Sequence, residues 1–220
     1  MLLRSTAIIY ALNLPIGSAD AGVPRFGGAT EPSLKTVGSL SEGGFTAPPQ
    51  AFFHFCKRFG HQCVRSGGNK PVILDEERWS ELTEVNAGVN QRIKPKAEPP
   101  GVDIWTLGAR EGDCDAFAIE KRKELIDLGW PSSALNLTVV YARSSEAHLV
   151  LTVRTDHGEF ILDNLRSAVL GVDSVGYTFV MRQSAMHPRL WVSIDRVKAG
   201  SMIAANVNRS GLARQYPVRE

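Results

Sequence analysis

Apolar positions change their spacing part-way along the chain. In the first half the spacing is helical. From about Gln50, Ala51, Phe52, Phe55 and Phe59 follow helical steps, and Gly60 offers a stop. A longer pattern runs from Leu74 to Ile93, where Trp79, Leu82, Val85, Val89 and Ile93 recur at three- or four-residue intervals. Asp75, Glu76 and Glu77 occupy its first turn, where the helix dipole favours acids, and Pro95, Pro99 and Pro100 end it. Residues 94–112 form a Pro- and Gly-rich connector carrying Trp105. A third helix is predicted from about Cys114 to Leu128. Phe117, Ala118, Leu125 and Leu128 make its inner face, Lys121, Arg122, Lys123 and Glu124 are mostly outward, and Gly129 ends it.

After Pro131 the period shortens. Leu135–Ala142, Ala147–Arg154 and Glu159–Asp163 read as strands, with shorter candidates at Tyr177–Arg182 and Leu190–Ile194. Helices first and strands afterwards imply an α+β fold with an antiparallel sheet. Thr155-Asp156-His157-Gly158 separates two apolar runs as a turn. A four-residue loop at 154–157 would set His148 directly opposite Asp163, with Cβ atoms about 4.5–5.5 Å apart. A two-residue turn would make them diagonal neighbours at about 7–8 Å. Leu149, Leu151 and Val153 make the more apolar, core-directed face, and His148, Val150 and Thr152 the other.

The chain ends differ from this body. Arg4, the apolar stretch Ala7–Leu14, Pro15 and Ala19-Asp20-Ala21 make residues 1–21 a secretory signal peptide, the alternative being a buried segment of a cytosolic protein. Residues 22–48 are expected to be a loose arm, 49–198 the domain, and 199–220 a polar tail. A length of 220 residues suits a single core. The net charge of +2 argues against nucleic-acid partners. No apolar run reaches about 18 residues, so the chain is not expected to span a membrane. Of the three cysteines, Cys56 and Cys63 lie close enough for a local disulfide in an oxidising compartment. Two unlinked core cysteines are the alternative. A zinc site lacks a second ligand pair.

Cys114 is then the odd thiol, and its setting is suggestive. Gly112 or Asp113 as N-cap would place it in the first turn of the third helix, where orphan N–H groups favour a thiolate. His148 and Asp163 follow in the order of a base and the group that orients it. Each also has a plainer reading, as a buried thiol, a strand-start histidine and a turn residue.

FCKRFGHQC, VNAGVNQRI, Asp103-Ile104-Trp105, EGDCDAFAIEKRKEL, Ala147-His148-Leu149-Val150-Leu151, Ile161-Leu162-Asp163-Asn164 and GYTFVMRQS together resemble the bacterial transglutaminase-like cysteine proteinases, over roughly Phe52 to Trp191. The resemblance implies a papain-like fold, with the cysteine helix packed on an antiparallel sheet, and a triad of Cys114, His148 and Asp163. It implies an exported endopeptidase, periplasmic or secreted, acting on a protein substrate such as a surface adhesin under an inner-membrane regulatory receptor. A non-catalytic binding module of the same fold, or protein-glutamine amide transfer, is the rival expectation. Oxyanion donors would be the Cys114 N–H plus Trp105 or Asn90, although Trp105 also reads as a hydrophobic plug. No cofactor is required by this chemistry. In calcium-dependent members acids around the cysteine bind the ion. Asp113 and Asp115 match, but Ala116 replaces an acid, so weak calcium binding or none is expected, with helix capping the simpler role for the two aspartates.

Overall fold

Asp75 accepts the backbone N–H of Arg78 at 2.8 Å and so caps the longest helix of the computed structural model, which describes residues 35–142 and 146–195. That helix, α2, spans Glu76–Arg92; α1 spans Gln50–Arg58 and α3 spans Cys114–Asp127. The strands are β1 (Ser41–Thr46), β2 (Lys94–Pro95), β3 (Glu111–Gly112), β4 (Leu135–Tyr141), β5 (Ala147–Thr155), β6 (Gly158–Leu162), β7 (Leu170–Gly171), β8 (Thr178–Gln183) and β9 (Trp191–Asp195). Seven of them form one sheet in the order β1-β9-β8-β4-β5-β6-β7, every pairing antiparallel. The chain is therefore α+β with its helices on an antiparallel sheet, as expected. It divides after Ser33 into two units. The first of these, which includes residues 1–21 expected as a signal peptide, and the tail 199–220 lie outside the described residues.

The main core lies between helices and sheet, where Phe52, Leu82, Val89 and Phe117 meet Leu137, Leu149, Leu151 and Val153. The other sheet face is also buried. Val140, Val150 and Ile161 pack there with Leu40, Val172 and Ile194. The face carrying His148 is thus no solvent face, because the segment before β1 and the loop after β7 cover it.

Four expectations need correction. Residues 41–46 are not loose arm but an edge strand paired with β9. The β5–β6 register is two residues tighter than a four-residue loop allows. Thr155 pairs with Gly158 and Leu151 with Leu162, which makes His148 and Asp163 diagonal rather than opposed. Gly158 permits the tight turn through its φ of 104°, and a Cβ there would sit 2.2 Å from the Val37 carbonyl oxygen. Lys121 and Arg122 are buried, not outward, because α3 packs against both α2 and the sheet. Arg122 satisfies part of its guanidinium on the carbonyls of Leu135 (3.0 Å) and Gln62 (2.9 Å). Finally, Cys114 carries no activated thiol at rest, for reasons given below.

Cys56 and Cys63 are disulfide-bonded with Cα atoms 5.7 Å apart. The bridge ties the end of α1 to the 3₁₀ turn Gly60–Cys63.

Candidate active site

Gly112 and Ala116 explain how the cysteine helix begins. A Cβ on Gly112 would lie 2.6 Å from that of Ala116, so only glycine lets β3 turn this closely into α3. The turn leaves Cys114 as the first helical residue, half-buried, with its Sγ accepting the Leu149 N–H at 3.4 Å. Strand β5 thus delivers two adjacent residues to the site, the backbone of Leu149 and the side chain of His148.

The imidazole of His148 is buried, and its Nε2 lies 2.8 Å from Asp163 Oδ1. Asp163 stands one residue past β6 and is almost fully enclosed. Its Oδ1 also accepts the Leu165 N–H at 3.0 Å, and its Oδ2 accepts the Tyr177 hydroxyl at 2.5 Å. Burial opposes ionisation of this carboxyl. The hydrogen bonds from His148, Tyr177 and Leu165 outweigh it and hold the group below its ordinary value. Asp163 is therefore a carboxylate at neutral pH.

Cys114 and His148 line one cavity of about 340 Å³, walled also by Pro95, Ala97, Asn164 and Leu165. Burial pushes the thiol up to about 12, the Leu149 N–H opposes this, and the charges of Asp113 and Asp115 push it further. The helix N-terminus alone would lower it. The largely dry setting, with the charge of Asp113 beside the sulfur, wins instead. Asp115 is itself raised to about 9, by burial first, then by hydrogen bonding to Asp113 and by the charges of Asp113, Asp103 and Glu98. Asp113 Oδ1 is buried without a partner. No group of three or more His, Cys, Asp or Glu side chains is arranged to hold a metal among the described residues.

The two oxyanion candidates are occupied elsewhere. Asn90 donates its amide to the carbonyls of Asp163 (2.9 Å) and Arg166 (3.1 Å). The Trp105 side chain hydrogen-bonds to Asp103, and its ring packs edge-on to Phe52 at 5.9 Å in the core. The plug reading of Trp105 fits this packing. Asn90 instead braces the Asp163 loop, together with Asn86, which accepts the Asp163 N–H at 3.1 Å and donates to the Ser167 carbonyl at 2.9 Å.

Residues 42–199 match the family model described as bacterial transglutaminase-like cysteine proteinase. The chain belongs to this family. Solved structures of LapG from Legionella pneumophila are similar, one at 28% identity over 52% of this chain and 66% of that chain, TM-score 0.46. A calcium-bound LapG is 26% identical over 55% and 73%, TM-score 0.47, and an EGTA-treated one 27% over 54% and 68%, TM-score 0.46. The match thus spans just under two thirds of the first LapG chain. Among curated proteins none matches.

Three residues at the site were not singled out for it in the sequence: Tyr177, Asn86 and Lys121. Tyr177 lies in GYTFVMRQS, and Asn86 and Asn90 are polar residues four apart beside the apolar stripe Leu82, Val85 and Val89 of α2, which is a readable sign of a buried clamp. Nothing in the sequence marks Lys121.

Proposed function

We propose that the chain is a cysteine endopeptidase in which Cys114 is the nucleophile, His148 the general base and Asp163 the group that orients it. The observation that carries this reading is the His148 Nε2–Asp163 Oδ1 hydrogen bond of 2.8 Å, on a histidine lining the same cavity as Cys114. With Nε2 committed to a carboxylate, Nδ1 is the nitrogen available to the thiol.

The thiol rests protonated, so the proton leaves as the sulfur attacks. His148 Nδ1 takes it while Sγ bonds to the substrate carbonyl carbon, and the imidazolium is stabilised by the Asp163 anion. The developing oxyanion would lie at the start of α3, where the Cys114 N–H is an orphan donor. Collapse passes the proton from His148 to the leaving amine and leaves a thioester. Water, giving its proton to His148, then hydrolyses the thioester and restores the thiol. Asp163 is held ionised throughout by Tyr177 and Leu165.

The Cys56–Cys63 disulfide supports an oxidising compartment, and we extend the reading to an exported, periplasmic enzyme. No helix among the described residues is long and apolar enough to cross a membrane. An adhesin as substrate and an inner-membrane receptor as regulator rest on the family resemblance. Calcium fits the site in kind. Asp113 and Asp115 offer hard oxygen donors, and the ion would supply positive charge beside Cys114. Two carboxylates would hold it weakly, since calcium takes about 6–8 oxygens.

The test is to treat cell-surface protein with the purified chain and with its Cys114→Ser and His148→Ala variants, then sequence new N-termini. Cleavage sites should appear with the unsubstituted chain only. The same sites produced by folded Cys114→Ser would end the endopeptidase reading.

A further inference from the structure

Asp163 has two carboxylate oxygens and three donors. His148 Nε2 and the Leu165 N–H share Oδ1, and Tyr177 alone holds Oδ2, at 2.5 Å. The backbone of Asp163 is already fixed, because Asn86 accepts its N–H and Asn90 donates to its carbonyl. What is left free is rotation of the carboxylate about its own axis. The Tyr177 ring is well placed to stop that rotation. It stands edge-on to the His148 ring at 6.1 Å, with the Arg166 guanidinium 5.6 Å from its centroid.

We propose that Tyr177 is a positioning residue, whose hydroxyl holds Asp163 Oδ2 so that Oδ1 stays aligned on His148. It acts only through Asp163. It also drains charge from the carboxylate. The charged or titratable groups facing Asp163 are His148 on β5, Tyr177 before β8 and Lys121 on α3, with Arg166 acting through the tyrosine ring. Removing the hydroxyl frees the carboxylate to turn, so the Oδ1–His148 Nε2 hydrogen bond lengthens or breaks. The inference rests on the proposed triad for its kinetic consequence but not for this one.

The variant is Tyr177→Phe in the full chain, which keeps the ring and its contact with Arg166. NMR of the His148 imidazole, assigned by its loss in His148→Gln, should show the hydrogen-bonded Nε2–H resonance moved upfield or lost to exchange. On a substrate found by that cleavage experiment, kcat should fall about tenfold with KM little changed. An unchanged His148 Nε2–H resonance in folded Tyr177→Phe overturns the inference even if the rate falls. If no substrate is ever cleaved, the endopeptidase reading fails and the NMR result still decides this one. Should Tyr177→Phe not fold, the Tyr177 phenol is read in Asp163→Asn. Burial and donation to Asp163 hold it above its ordinary value, so it should drop, and no drop overturns the inference.

Discussion

Replacing Lys121 with methionine should stabilise the protein, and do so most at low pH. Lys121 is wholly buried on α3, its Nζ has no hydrogen-bond partner, and its nearest compensation is the Phe117 ring with the centroid 6.0 Å away. Burial lowers its ammonium from 10.5 to about 7, with the charge of Asp163 opposing. The sign follows from linkage. Below the folded value both states are protonated and the whole penalty is felt. Between the folded and unfolded values the unfolded chain binds more protons, so stability rises with pH. Above the unfolded value nothing remains. At about 1.4 kcal/mol per unit, the penalty is about 5 kcal/mol at about pH 6 and about 1 kcal/mol at about pH 9.5. These are ceilings, since water and side-chain relaxation reduce them. Methionine has a similar length and no charge. Urea unfolding of both chains at the two pH values should give a gain of several kcal/mol in the acid condition and a much smaller one in the alkaline condition. A variant that is equally destabilised at both would refute the reasoning and mean that the ammonium has a partner worth more than its burial costs.

Four further outcomes are expected. Iodoacetamide should label native Cys114 slowly between about pH 6 and 8, because the thiol lies at about 12, and should label the urea-unfolded chain at an ordinary rate. Fast native labelling would mean that His148 takes the proton before any substrate arrives. Calorimetry should find calcium binding at about 10⁻⁴ M or weaker, and a tight site abolished by Asp115→Asn would show that other oxygens complete the shell. Reducing the Cys56–Cys63 bridge, which closes a sequence separation of 7, should lower stability by about 2–3 kcal/mol in urea titrations. Gly158→Ala should destabilise by more than about 2 kcal/mol, since it needs both a positive φ and space already filled by Val37; an unchanged urea midpoint would contradict the turn geometry.

The helices and the middle strands were legible because their apolar spacing is long and regular. The edge strand β1 was not. Its sequence SEGGFT has no alternation, and its partner β9 lies near the far end of the described chain. The triad order was readable from residue types, yet its register was not, because the loop length depends on whether Gly158 takes a positive φ. The elevated thiol was hidden for a different reason. Helix position is local information, whereas the burial of Cys114 and the nearness of Asp103 and Glu98 to its neighbours are tertiary. Lys121 is the extreme case: its position on α3 reads as surface until one knows that α3 is covered on two sides.

The pairing of β1 with β9 bears on when the sheet can be finished. Ser41 meets Asp195 and Thr46 meets Trp191, so the first described strand closes against the last. Contacts between distant stretches of chain carry a large loop-closure cost and form late in folding. A chain emerging from the ribosome could assemble α2, α3 and the β4–β5–β6 meander early. It could not complete the sheet until β9 had been made. Until then β8 would keep an unpaired edge, separated by β4 from the strands that bring His148 and Asp163 together, and that edge would be open to other chains.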